Sequence, residues 1–218
     1  MSPIPSSAYA VPVTGRPTLN QRRRESTRLE IAQAAAELFA ARGAEATTAE
    51  EIATASGISL RTFYRYFSEK EDAVAPLLAA GGERWVRLFT ESASDLPVRE
   101  ALERSAAESL SPSDAPAVEA LRWTRDLLRD PRLATVWQRV HADSEERLRA
   151  AIADRCPPGT DVLEIRLAAA AATAAIRVAL EQWARSGAPA TGPGSPRELG
   201  ARCMRELTAG LDLWTRVN

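Results

Sequence analysis

Three features of the chain predict an all-α fold. Helix-start signals recur at capping-box spacing, prolines and glycines fall at the ends of the apolar-periodic segments, and the alternation expected of strands is hard to find. Thr27 with Glu30, Thr48 with Glu51, Ser68 with Glu71, Asp161 with Glu164 and Ser195 with Glu198 all fit that spacing. A side-chain oxygen at the first position meets an orphan backbone N–H, and a carboxylate three residues on answers back. Pro131 and Pro196 follow Asp130 and Ser195 at first helical positions, where a missing N–H costs nothing. Gly43, Gly57 and Gly187 stand where helices should stop.

Taken in order, residues 1–25 hold Pro3, Pro5, Pro12, Gly15 and Pro17 with little periodic pattern, and read as a flexible basic arm. Helices are predicted over 27–42, 48–56, 60–66, 69–91, 97–110, 115–129, 131–155, 161–186 and 196–216, with a Pro/Gly-rich surface loop at 188–195. The domain division is an arm at 1–25, a three-helix domain at 26–72 and a larger helical bundle at 73–218. With 218 residues, 45% hydrophobic and 26% charged, the chain is long and apolar enough to bury such a core.

Formal net charge is −1, so any attraction to nucleic acid must be local. It is: Arg16, Arg22, Arg23, Arg24 and Arg28 lie close together, with Glu25 the only acid among them. Cys156 and Cys203 belong to no CxxC or Cys/His cluster and read as two reduced thiols. Residues 1–17 lack the basic and apolar regions of a secretory signal. The most apolar run, 162–180, contains Glu164, Arg166 and Arg177 and reads as a buried helix, not a membrane span. The expectation is a cytoplasmic protein with no membrane contact.

Residues 27–72 carry the most specific pattern. Ile31, Ala35, Leu38 and Phe39 make one apolar face of the first helix, and Ile52 and Ala53 turn the second inward. Gly57-Ile58-Ser59 makes a tight turn, and Ser59 can cap a third helix over 60–66. Two short helices about a glycine-containing turn form a helix-turn-helix, whose second helix enters the DNA major groove. That helix is two-sided. Phe63 and Phe67 lie one turn apart and face Phe39 and Ile52; Arg61, Thr62, Tyr64 and Arg65 lie opposite. Arginine can pair with guanine edges or phosphate, threonine with phosphate or a thymine methyl, and tyrosine with phosphate. The next helix start brings Lys70 towards the DNA backbone, where a helix N-terminus suits a phosphate. For Tyr66 a core position stands beside a phosphate contact, and Thr48 and Ser59 can act as caps alone.

Residues 28–72 resemble the DNA-binding domain of the TetR family of regulators. The resemblance runs through Ala35, Phe39 and Gly43, then Thr47-Thr48, Ile52-Ala53, Gly57-Ile58-Ser59, Thr62-Phe63-Tyr64, Tyr66-Phe67 and Lys70-Glu71. It implies DNA-facing roles for Thr48, Ser59, Leu60, Arg61, Thr62, Tyr64, Arg65, Tyr66 and Lys70. Leu60 departs from the small or polar residues common there. In the arm, Gly15-Arg16-Pro17 resembles the core of minor-groove hooks; a generic basic tail is the plainer reading.

The bundle shows no catalytic constellation. His141 is the only histidine, and no phosphate-cradling glycine loop follows a strand, so neither an enzyme nor a bound cofactor or metal is expected. Trp85, Trp123, Trp137, Trp183 and Trp214 are large apolar bodies fit to fill a core or line a cavity between helices. The domain also resembles, more loosely, C-terminal domains of actinobacterial-type TetR regulators associated with acyl-CoA-like ligands. The similar stretches are 121–133, with Asp130-Pro131-Arg132-Leu133, and 166–183. That implies a hydrophobic or acyl-CoA-like effector, with Arg177 or His141 serving its anion and Trp85, Trp123, Leu127 and Trp137 packing its apolar part. The resemblance further implies a homodimer through the last two long helices, for which the alanine-rich 167–180 and Leu199, Met204, Leu207, Leu211 and Trp214 are suited.

The function so implied is a ligand-released repressor binding a palindromic operator in double-stranded DNA. Two readings compete: an effector-independent architectural DNA-binding protein, and a small-molecule-binding bundle with a vestigial helix-turn-helix. A cavity of several hundred Å3 within 75–190 favours a sensor, and a filled core favours the architectural protein.

Overall fold

A computed structural model describes residues 18–208, and within them there are nine α-helices, two 3-10 turns and no strand. The helices are α1 (Leu19–Arg42), α2 (Ala49–Ala55), α3 (Leu60–Tyr66), α4 (Ala75–Glu91), α5 (Val98–Ser109), α6 (Ala115–Arg129), α7 (Ala134–Arg155), α8 (Val162–Ser186) and α9 (Pro196–Thr208). The 3-10 turns, Glu71–Val74 and Pro131–Leu133, precede α4 and α7. Residues 15–17, and Leu211 and Trp214 on the last expected helix, lie outside the described residues.

Helix α1 begins eight residues before the expected start. Thr18 accepts from the Gln21 N–H at 3.2 Å and its own N–H donates to Gln21 Oε1 at 2.7 Å, a complete capping box. Nothing from Leu19 to Thr27 breaks a helix, so the expected Thr27 box lies inside one. Arg22, Arg23 and Arg24 therefore stand on a helix, not in an arm. The Ser68 box is likewise not formed. Pro76 at the start of α4 has no N–H for a carbonyl one turn back, and a 3-10 turn precedes it instead. At α9, Ser195 Oγ accepts from Glu198 N–H, but the Glu198 carboxylate accepts from Gly194. The Thr48–Glu51 box forms as expected.

The small domain packs α1, α2 and α3 around Ile31, Ala35, Phe39, Ile52, Phe63 and Phe67. Gly57, at φ +67°, ends α2 in the left-handed conformation that glycine adopts without strain. In the larger bundle α8 is central, with α6, α7 and α9 against it, and α4 packs on α5 and α7. Its buried face is largely alanine (Ala168, Ala169, Ala172, Ala175, Ala179), which lets neighbouring helices approach closely. Trp183 closes its end, the indole N–H reaching the Ala188 carbonyl at 2.9 Å and Arg125 lying 4.1 Å above the ring.

The two units are joined by specific polar contacts. The Asp130 carboxylate, between α6 and α7, accepts the Ala44 N–H at 2.8 Å in the α1–α2 turn. Arg132 pairs with Glu45 beside it, and Arg139 of α7 pairs with Asp72 ahead of α4.

Candidate nucleic-acid interface and buried cavity

Ser59 fixes the start of α3, its hydroxyl accepting the Thr62 N–H at 3.1 Å. Phe63 is fully buried and Phe67 nearly so, with ring centroids 5.7 Å apart, and this pair sets the rotation of the helix. Arg61, Tyr64 and Arg65 are consequently turned outward. Neither arginine forms a hydrogen bond or ion pair among the described residues, and Tyr64 is 54% exposed. Thr48 and Ser59 are exposed caps at the same edge; Thr62 is half-buried and bonded to Ser59 Oγ at 2.9 Å. Leu60 and Tyr66 are half-buried against the core. The extended α1 adds a cationic flank: Arg24 and Arg65 lie 5.9 and 5.5 Å from the Tyr66 ring centre, and Arg28 lies 5.6 Å from that of Phe67.

Lys70 does not join this face. Its ammonium donates at 2.7 Å to the carbonyls of both Ala44 and Thr47, and a third carbonyl, Glu45, lies at 3.4 Å. Lys70 thus braces the α1–α2 turn, with its charge directed inward, and is not the free phosphate ligand expected from its place in the sequence. Carbonyls of the turn after α1 need donors, and lysine supplies three.

The bundle holds a cavity of about 80 Å3 between α4, α5, α6, α7 and α8, short of the several hundred Å3 that would by size alone favour a sensor over an architectural protein. Its apolar wall includes Trp85, Trp137, Leu110, Leu121, Ile176 and Leu180, and His141 and Thr173 contribute polar atoms. Three of the six expected ligand residues meet there: Trp85, Trp137 and His141. Leu127 lines a separate open groove, Trp123 packs at the core edge, and Arg177 pairs with Glu181 at 3.4 Å. The expected set therefore splits. A 3.6-residue period identifies which residues face inward, but not which side of a helix meets which neighbour. Thr173, which the sequence reading missed, lies in the alanine-rich run 167–180, where Arg177 is the other polar residue. Within 18–208 no group of three metal-ligating side chains occurs, and no helix is long and apolar enough to cross a membrane.

This arrangement defines a helix-turn-helix protein whose binding domain is built onto a larger helical bundle. Residues 31–75 match the family model for bacterial regulatory proteins of the tetR family. The HTH-type transcriptional regulator TcmR of Streptomyces glaucescens is 38% identical over 84 residues, 38% of this chain and 37% of that protein. An HTH-type transcriptional repressor of Mycobacterium tuberculosis is 33% identical over 96 residues, 42% of this chain and 51% of that protein. The chain thus spans between a third and about half the length of these curated relatives. The solved structure of SmeT, repressor of the Stenotrophomonas maltophilia multidrug efflux pump SmeDEF, aligns with a TM-score of 0.56 at 20% identity, covering 89% of this chain and 97% of that one. That likeness is one of fold. Residues 31–75 therefore carry the helix-turn-helix of the tetR family of bacterial regulatory proteins.

Proposed function

We propose that the protein is a transcriptional repressor that binds a palindromic operator as a homodimer and releases it when a small molecule occupies the bundle. The outward face of α3 carries this reading: Arg61, Tyr64 and Arg65 are exposed, the two arginines have no anionic partner among the described residues, and two buried phenyl rings hold the helix beneath them. Such a face suits phosphates and base edges, and Arg23 and Arg24 on α1, which border Arg65 and Tyr66, extend it.

A seven-residue helix reads few base pairs, so a two-fold dimer supplies affinity through a second half-site about 34 Å away. The outer face of α8 suits that dimer. Leu163, Leu167 and Val178 are 67%, 50% and 44% exposed, and Ala170 and Ala174 complete one stripe between them. Leucines so placed gain most from a copy of the same face. Helix α4 joins both units and borders the cavity, so a guest that shifts α4 alters the spacing of the two α3 helices.

The test is selection of bound duplexes from a random pool by the full chain, followed by titration of the recovered duplex. Arg61→Ala or Arg65→Ala is expected to weaken specific binding by about 1–3 kcal/mol where the side chain reads a base. A phosphate contact shows instead as a salt slope shallower by about one. Recovery of no preferred duplex overturns the reading.

A further inference from the structure

Two polar side chains of the cavity have no partner. Thr173 is 4% exposed and its Oγ1 is buried without a hydrogen bond, as are both ring nitrogens of His141. Other polar groups around them are already closed. Ser144 Oγ and Thr124 Oγ1 each donate to a carbonyl of their own helix at 2.9 Å, and Trp85 Nε1 donates to Ser105 Oγ at 3.0 Å. No charged side chain lines the cavity. The nearby Arg177 is paired with Glu181, whose carboxylate also accepts the Trp137 N–H at 3.1 Å. Burial, with Arg177 beside it, holds the His141 pKa down at about 4, against the pull of Glu181, so the ring is neutral at physiological pH. A neutral imidazole offers one donor and one acceptor, and a threonine hydroxyl offers both.

We propose that this cavity is the effector site and takes an uncharged, compact, mainly apolar molecule bearing a hydroxyl or carbonyl, which His141 and Thr173 bind by hydrogen bonds. The proposal rests on the regulator reading above and narrows its effector to one chemical class. An anion would meet no cationic side chain in the lining, so of the hydrophobic and acyl-CoA-like effectors implied by the resemblance the proposal keeps the hydrophobic one. Apart from Ser109, Thr124 and Ser144, whose hydroxyls are bonded within their own helices, the wall is apolar except at these two positions, so it favours a ring or branched hydrocarbon frame with a single polar group.

The size of the cavity adds a mechanism. About 80 Å3 is well below the several hundred Å3 expected of a sensor, and below the roughly 150 Å3 that accommodates benzene in an apolar cavity. A ring-sized guest must therefore prefer a wider arrangement of the walls, which is the differential affinity a population shift requires. Gly81 and Gly82 of α4 border the cavity, on the helix that leads to the DNA-binding domain.

Three matched probes test the class on the 218-residue chain at pH 7.5: cyclohexanol, methylcyclohexane and cyclohexanecarboxylate. Tryptophan emission, to which the lining Trp85 and Trp137 contribute, and the thermal unfolding midpoint report binding. Cyclohexanol is expected to bind in the millimolar range, methylcyclohexane about tenfold more weakly, and the carboxylate not at all. His141→Phe and Thr173→Val should each weaken cyclohexanol about tenfold while sparing methylcyclohexane, and His141→Gln and Thr173→Ser should restore part of the loss. Equal binding of the hydrocarbon, binding of the carboxylate as tight as the alcohol, or binding of none of the three overturns the proposal. Titration of the selected duplex on the same samples separates the two failures. A duplex bound without any probe response sinks only the ligand class, whereas the absence of a preferred duplex sinks the regulator.

Discussion

Lys70 occupies a position where the family resemblance points to DNA, yet its ammonium is held by carbonyls of the α1–α2 turn. Replacing it leaves those acceptors short of a donor, so Lys70→Ala is expected to destabilise the fold by about 1–3 kcal/mol in urea titrations. Its DNA salt slope should match that of the unmodified protein, and a slope reduced by about one would instead mark a phosphate contact. His141 makes a second prediction at this scale. Its folded pKa of about 4 lies below the ordinary 6.5, so the unfolded chain takes up the proton first as pH falls. Its contribution is constant above about pH 6.5, and stability then declines towards pH 4 by up to ~1.4 kcal/mol per pH unit. Arg177 and Glu181 are the charged groups whose fields act on the ring. Comparing unfolding of the parent and His141→Gln across pH 7 to 4.5 isolates the effect; parallel curves would contradict it. Neither residue's role could be read from sequence. Lys70 depends on where a turn 25 residues earlier folds back, and His141 on which helices enclose it.

At the scale of elements the sequence was far more informative, because caps and breakers act locally. Thr48, Ser59 and Pro131 start their helices or turns as the residues imply, Asp161 caps α8 by accepting the Leu163 N–H in place of the expected box with Glu164, and Gly43, Gly57 and Gly187 end their helices. The misplaced start of α1 has a local cause too: Thr18 with Gln21 competes with Thr27 with Glu30, and an unbroken run of helix formers lets the earlier box win. Long-range approach is a different matter. Gly200 of α9 reads as an unremarkable helical glycine, yet a Cβ there would come within 2.4 Å of Leu110 Cδ1. Alanine's helix propensity favours Gly200→Ala by about 1 kcal/mol, but forcing a methyl against a buried leucine costs about 1–3 kcal/mol. The net expectation is a modest loss that shrinks in a Leu110→Val background. A double-mutant cycle measures this coupling, and strict additivity would mean that α5 and α9 do not meet at these residues.

Across the whole molecule, the mixture of strong and weak surfaces follows from its proposed task. The interface between the two units adds local polar contacts, Asp130, Arg132 and Arg139 reaching Ala44, Glu45 and Asp72, to the packing of α1 on α4 and α6. Contacts of that kind hold a geometry while allowing it to change at modest cost. The outer stripe of α8, by contrast, is apolar along its length, and an apolar face suits a permanent neighbour. Leu167 lies within that stripe, half exposed in the single chain, so a carboxylate there should disturb the monomer's core little. In a dimer the same carboxylate would be buried beside its symmetry mate, where two like charges without cations repel and lose their hydration. Leu167→Glu is therefore expected to leave the helical signal and melting cooperativity of the isolated chain intact while shifting sedimentation to the monomer. Operator affinity should then fall steeply, because each half-site must be filled independently, without the effective concentration that a linked partner provides. A Leu167→Glu protein that still sediments as a dimer and binds the full operator unchanged would place the two-fold contact on another face.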